Sequence, residues 1–164
     1  MSTESDSTSE LRDAYVAAWN AHDAHACGAL FTDDGVRDWQ VKPLAGVSRF
    51  KGRVAVVESI QELMTAVPDI HVELHNVWEI PGGAVVEWRV RGTHQADWDI
   101  WTAQGEAVNF TGISVYRIHD GRFAEERMYF DTGLMTANWR PPAIMRALTS
   151  LAKRRVQRRQ ARAA

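Results

Sequence analysis

VNFTGISVYRIHDGRFAEERMYFDTG, residues 108–133, is the stretch whose reading decides the fold class. His119-Asp120-Gly121 reads as a tight hairpin connection between two strands. On the first strand Val108, Phe110, Gly112, Ser114, Tyr116 and Ile118 share a face. On the second, the two-residue period puts Arg122, Ala124, Glu126, Met128 and Phe130 on one face, and Phe123, Glu125, Arg127, Tyr129 and Asp131 on the other. Neither strand is apolar on one side and polar on the other. Such a mixture suits a curved sheet whose inner surface is part core and part pocket.

Upstream, Ala84 to His94 repeats the pattern more cleanly. Val86, Trp88, Val90, Gly92 and His94 oppose Glu87, Arg89, Arg91 and Thr93, so His94 is expected to point inward, with Gly92 leaving room beside it. Ile70, Val72, Leu74, Asn76 and Trp78 form the same kind of face on the strand before, and Pro81-Gly82-Gly83 turns between the two. The N-terminal third has the helical period instead. A helix from Ser9 carries Leu11, Tyr15, Ala18 and Trp19, and Asp23 caps a second helix with Ala26, Cys27, Leu30 and Phe31. A short strand is predicted from Val36 to Val41, a loop over 42–52, and a helix from Arg53 with Val54, Val57, Ile60, Gln61 and Met64 on its apolar stripe. A last helix is predicted from Ala143 to about Leu151. Helices followed by long antiparallel strands make the class α+β.

A chain of 164 residues with 45% apolar content and seven Trp is one ordinary domain able to bury a core. Residues 1–8 are polar and read as disordered, 9–152 as the domain, and 153–164 as a basic, solvated tail. The net charge of −2 hides an asymmetry, because six of the 19 basic residues lie in that tail. The remaining 13 face 21 acids, so residues 1–152 carry −8. An acidic body of this kind is not expected to bind nucleic acid. No apolar run is long enough to span a bilayer, so no membrane partner is expected, and the polar N-terminus does not read as a secretory signal. The lone Cys27 fits a small buried hydrophobe in a reducing, cytoplasmic setting. No metal is expected: His71 and His75 on one strand stand about 13 Å apart. No phosphate loop or dinucleotide fingerprint occurs, so no cofactor is implied.

The ordered segments YVAAWNAHD, LFTDDGV, PDIHVE, VVEWRVRGTH, FTGISVYRIHDGRFAEE and YFD resemble the SnoaL-like polyketide cyclases of the nuclear transport factor 2-like superfamily, over roughly residues 11–137. The resemblance implies a cone-shaped α+β fold. A curved antiparallel sheet would wrap around one deep pocket under N-terminal helices, often in a homodimer. It does not carry the catalytic sets over intact. Across the hairpin those cyclases resemble GIHVYRVxDGxIxEEWDxxD; here the His position is Ser114 and the Asp after Trp is Met128. Epoxide hydrolases of the superfamily also place an Asp at the Met128 position. Ketosteroid isomerases carry an oxyanion-binding Asp at the Ser114 position. Their helix-1 Tyr matches Tyr15, and their base falls on Trp39 without gaps or on Asp38 after a one-residue shift.

The residues themselves offer Asp38 as a general base and His94 as a proton exchanger titrating near neutrality. Tyr15 is the candidate donor to a developing oxyanion. Ser114, Trp19, Trp39, Trp88, Phe110, Tyr116 and Met128 are expected to contact a hydrophobic small molecule. Arg127 and Asp131 are expected outside the pocket, as an ion pair or as a cap for the turn at Thr132-Gly133. Three functions stay open: a cofactor-free acid–base cyclase or isomerase, a binding module of the same shape, and a dimerising scaffold.

Overall fold

Residues 3–40, 48–98 and 101–135 are described by the computed structural model. Helices α1 (Thr3–Asn20) and α2 (Ala24–Ala29) lead into strand β1 (Phe31–Trp39), the short strand β2 (Arg49–Lys51) and helix α3 (Arg53–Ala66). Strands β3 (His71–Ile80), β4 (Gly83–His94), β5 (Glu106–His119) and β6 (Arg122–Phe130) follow, then a short helix α4 (Thr132–Met135). The helix expected from Ala143 and the basic tail lie outside the described residues. The six strands form one curved, unclosed sheet in the order β2-β1-β6-β5-β4-β3. All neighbours are antiparallel except β1 and β6, which run parallel. The α+β architecture with N-terminal helices over a bent sheet is therefore present. Among the described residues no helix is long and apolar enough to cross a membrane.

Local chemistry accounts for the joints. Asp120 and Gly121 both have positive φ, 47° and 69°, which is what a two-residue turn matching the strand twist requires. Between α1 and α2 the backbone turns at His22, whose φ is 56°, and Nε2 of that imidazole donates to the Ile70 carbonyl at 2.8 Å. Asn20 adds a two-way clamp to the backbone of Val72, fastening α1 onto β3. Asp23 caps α2 by accepting from the Ala26 amide at 2.8 Å, as its position suggested. Asp131 accepts from the amides of Gly133 and Leu134 and so opens α4, while Arg127 pairs with Glu125 instead.

Several expected boundaries and faces shift. The first helix begins at Thr3 rather than Ser9, and β1 begins at Phe31. The segment read as loop holds β2, three residues long and too short to show a period. α3 buries Val56, Ser59, Ile60 and Met64, leaving Val54 exposed, so its stripe is rotated from the one expected. Bulges explain the sheet. One between Leu74 and Asn76 inserts a residue into β3 and reverses its phase, so Trp78 points to the outer side and is 51% exposed. A second, at Ala124, lets Phe123 turn inward together with Glu126. A period of two cannot anticipate either.

Candidate active site

The register of the sheet stacks the inward side chains in rows. Arg37, Glu126, Tyr116 and Ala84 lie across β1, β6, β5 and β4; Trp39, Met128, Ser114 and Val86 form the next row. Phe130, Gly112, Trp88 and Leu74 form the third. Above them the inner stripe of α1 supplies Tyr15 and Trp19. Together they enclose a cavity of ≈ 640 Å³, the open solvent at its mouth included. Rings dominate its wall: Trp19, Trp39, Trp88, Trp98, Phe110 and Phe130. Gly112 makes one of these placements possible, because a Cβ there would collide with the indole of Trp88.

At one end of this apolar chamber sits an ion pair. Arg37 Nε is 3.1 Å from Glu126 Oε2, and each residue is 3% exposed. The carboxylate accepts three more hydrogen bonds: Tyr15 Oη donates to Oε2 at 3.0 Å, Tyr116 Oη to Oε1 at 3.0 Å, and Ser114 Oγ to Oε1 at 3.1 Å. Four donors fill the four acceptor positions of a carboxylate. Ser114 in turn accepts from Trp88 Nε1 at 2.9 Å. Arg37 also donates to Ser59 Oγ at 3.2 Å, and its guanidinium carbon lies 5.4 Å from the ring centre of Trp19 and 5.6 Å from that of Trp39. Burial is the chief reason the Tyr15 and Tyr116 hydroxyls are held well above the usual phenol range, and the Glu126 charge adds to it. Both keep their protons at neutral pH. The Arg37 guanidinium is lowered by burial but raised by Tyr15 and Glu126, and the upward shift wins.

Most of the expected contact residues meet here. Tyr15, Trp19, Trp39, Trp88, Phe110, Tyr116 and Met128 all line the cavity. Ser114 is fully buried behind the wall, hydrogen-bonded to Glu126 and Trp88, and does not itself line the cavity. The two proposed proton exchangers do not arrive. On β1, Arg37 and Trp39 face inward, so Asp38 faces the other way, where its carboxylate pairs with Arg49. His94 is fully buried, as its phase required, but it stands at the end of β4 beyond the cavity wall. Its Nδ1 is 3.6 Å from Oε2 of Glu106, the residue opposite in β5. Burial pulls the imidazole below its ordinary range, with Glu106 opposing. The space beside Gly92 is taken by Val67, Asp69 and Ile70 rather than by a ligand.

Sequence reasoning passed over Arg37 and Glu126. A signal for Glu126 existed: it shares a strand face with Met128 and Phe130, where a carboxylate is out of place. Arg37 sits one residue from Asp38 and carried no signal until the parallel pairing of β1 with β6 set it opposite Glu126.

A sequence profile described as SnoaL-like polyketide cyclase matches residues 9–137. Solved structures share the fold at low identity. A putative SnoaL-like polyketide cyclase from Jannaschia sp. CCS1 is 17% identical, with a TM-score of 0.71 over 84% of this chain and 94% of that one. A putative isomerase from Bacillus subtilis gives 16% and 0.72 over 83% and 94%. IdmH, a putative polyketide cyclase from Streptomyces antibioticus, gives 19% and 0.66 over 80% and 96%. Among curated proteins no match is found.

Proposed function

Because this chain belongs to the SnoaL-like polyketide cyclase family, we propose that it is a cofactor-free acid–base catalyst of cyclase or isomerase type, acting on an uncharged, hydrophobic, cyclic or polyketide-like small molecule in the cytoplasm. The observation that carries this reading is the Arg37–Glu126 pair, joined by Tyr15, at the end of an aromatic chamber. A buried ion pair is a poor source of stability, since apolar replacements of the same volume often do as well. Its presence at the wall of an aromatic cavity therefore favours chemistry.

With all four acceptor positions filled, Glu126 works through a neighbour. The substrate's acidic C–H gives its proton to Tyr15 Oη, while Tyr15 passes its own proton along the existing 3.0 Å hydrogen bond to Glu126 Oε2. The substrate becomes an enolate, Tyr15 is unchanged, and Glu126 is neutral. Arg37, released from its partner, then balances the new negative charge. The cavity holds one positive and one negative charge before and after. Protonation at a second carbon, or attack of the enolate on a second carbonyl followed by proton return, restores the carboxylate. Tyr116 and Ser114 fix the carboxylate from its other oxygen.

A binding module of the same shape is the second reading, and the saturated carboxylate together with Ser114 and Met128 favours it. The homodimer belongs to either reading: Ile113 and Tyr129, cross-strand partners on the outer face, are 41% and 45% exposed. The test uses 2-tetralone in D2O, following exchange of its acidic C–H by proton NMR. Wild type should accelerate exchange. Glu126→Gln and Tyr15→Phe should each lower the rate by about a hundredfold, whereas Asp38→Asn and His94→Ala leave it within a few fold. Exchange that survives in Glu126→Gln removes this carboxylate from the mechanism, and no acceleration by wild type leaves the binding module.

A further inference from the structure

The hydrogen-bonding capacity of the cavity wall is spent almost entirely within the protein. Glu126 accepts from four donors, Trp88 Nε1 is taken by Ser114, and the Tyr15 and Tyr116 protons go to Glu126. One polar atom stands outside this economy: the indole Nε1 of Trp39 is buried and has no hydrogen-bond partner among the described residues. Trp39 is 7% exposed and lines the cavity. Its ring is boxed in by Phe50 at 5.5 Å, Trp98 at 5.4 Å and Phe130 at 6.3 Å, none of which offers a strong acceptor. An indole N–H is a donor only, and an orphaned buried donor is costly. Such an atom is expected to find its partner in a ligand.

We propose that the Trp39 indole N–H is the hydrogen-bond donor that recognises an oxygen (carbonyl, quinone or ether) on the flat, uncharged molecule held in this cavity. The proposal rests on the reading of the cavity as a ligand site. Trp39 lies two residues beyond Arg37 on β1, about 6.5 Å along the strand. That spacing separates recognition from chemistry: Tyr15 and Glu126 handle the proton, and Trp39 sets which way round the ligand lies. A hydrocarbon of the same outline fills the chamber but leaves the donor unpaired. The site thus selects oxygenated rings over bare ones by hydrogen bonding, in addition to stacking.

Fluorene and 9-fluorenone, planar tricycles differing by one carbonyl oxygen, test this on the full chain. Dissociation constants are measured by calorimetry for wild type and Trp39→Phe. Wild type should prefer fluorenone by about tenfold, and Trp39→Phe, which keeps a ring but loses the N–H, should bring the ratio close to one. Loss of stacking affects both probes alike and cancels in the ratio. A second readout needs no variant: in ¹⁵N-labelled wild type the Trp39 indole proton, assigned through its contacts to the Phe50 ring, should move downfield with fluorenone and not with fluorene. Equal affinities, or an unmoved indole signal on binding, overturn the role of Trp39 while leaving the cavity a ligand site. Failure of both probes to bind overturns the ligand site itself, and this inference with it.

Discussion

Replacing Glu126 by Gln is the most informative single perturbation, because it removes one charge while keeping shape and volume. In the native protein the carboxylate accepts four hydrogen bonds and balances Arg37 at 3% exposure. The amide keeps one oxygen, so one pair of donors keeps its acceptor and the other pair meets an NH2 group. The dominant cost is the Arg37 charge, left buried without a counter-charge, and breaking a buried pair from one side costs about 3–5 kcal/mol. A domain of this size has roughly 5–15 kcal/mol to lose, so the variant should remain folded but melt about 10 °C lower. Urea unfolding of wild type, Glu126→Gln, Arg37→Met and the double variant completes a thermodynamic cycle. If the pair carries the cost, the double variant should be more stable than the sum of the single losses predicts, by about 2 kcal/mol or more. Additive losses would refute the reasoning and show that the two side chains merely fill space.

Two further outcomes follow from groups next to the cavity. The folded-state pKa of His94 is depressed, so the unfolded chain binds its proton more readily and stability is lost as pH falls through the ordinary range near 6.5. Stability of His94→Gln should be flatter than that of wild type between pH 7 and 5 in urea titrations at each pH; parallel curves would remove the imidazole as the cause. Gly112→Ala should displace the Trp88 indole, cost about 1–3 kcal/mol by overpacking and weaken fluorenone binding, measured by melting and calorimetry. Unchanged melting would mean the indole moves aside freely.

The strands were legible because their inward faces keep a period of two where the sheet is regular. From Val86 to His94 and from Val108 to Tyr116 every alternate residue is in its expected place. Legibility ends at the bulges, where one extra residue in β3 and another in β6 shifts Trp78 outward and Phe123 inward. The cavity-lining residues Tyr15, Trp19 and Trp88 were readable from the same periodicities. The ion pair was not. Arg37 and Glu126 are 89 positions apart and meet only through the parallel pairing of β1 with β6, a partnership that local pattern does not encode. The superfamily's base falls on Trp39, or on Asp38 after a one-residue shift; the pleat turns Asp38 outward and brings Arg37 and Trp39 inward.

That same pairing has a consequence for how the chain acquires its site. β1 is made early and β6 near the end of the described chain, and the hydrogen bond from Tyr15 to Glu126 spans 111 positions. β3, β4 and β5 form neighbouring antiparallel pairs through local turns and can associate as soon as they exist, whereas closing the β1–β6 seam carries the largest loop entropy among the described strand pairs. On a ribosome, Arg37 must therefore wait, hydrated and without Glu126, until β6 emerges. The buried ion pair is then formed in one event, so a chain truncated before Glu126 lacks the counter-charge that Arg37 has in the complete sheet.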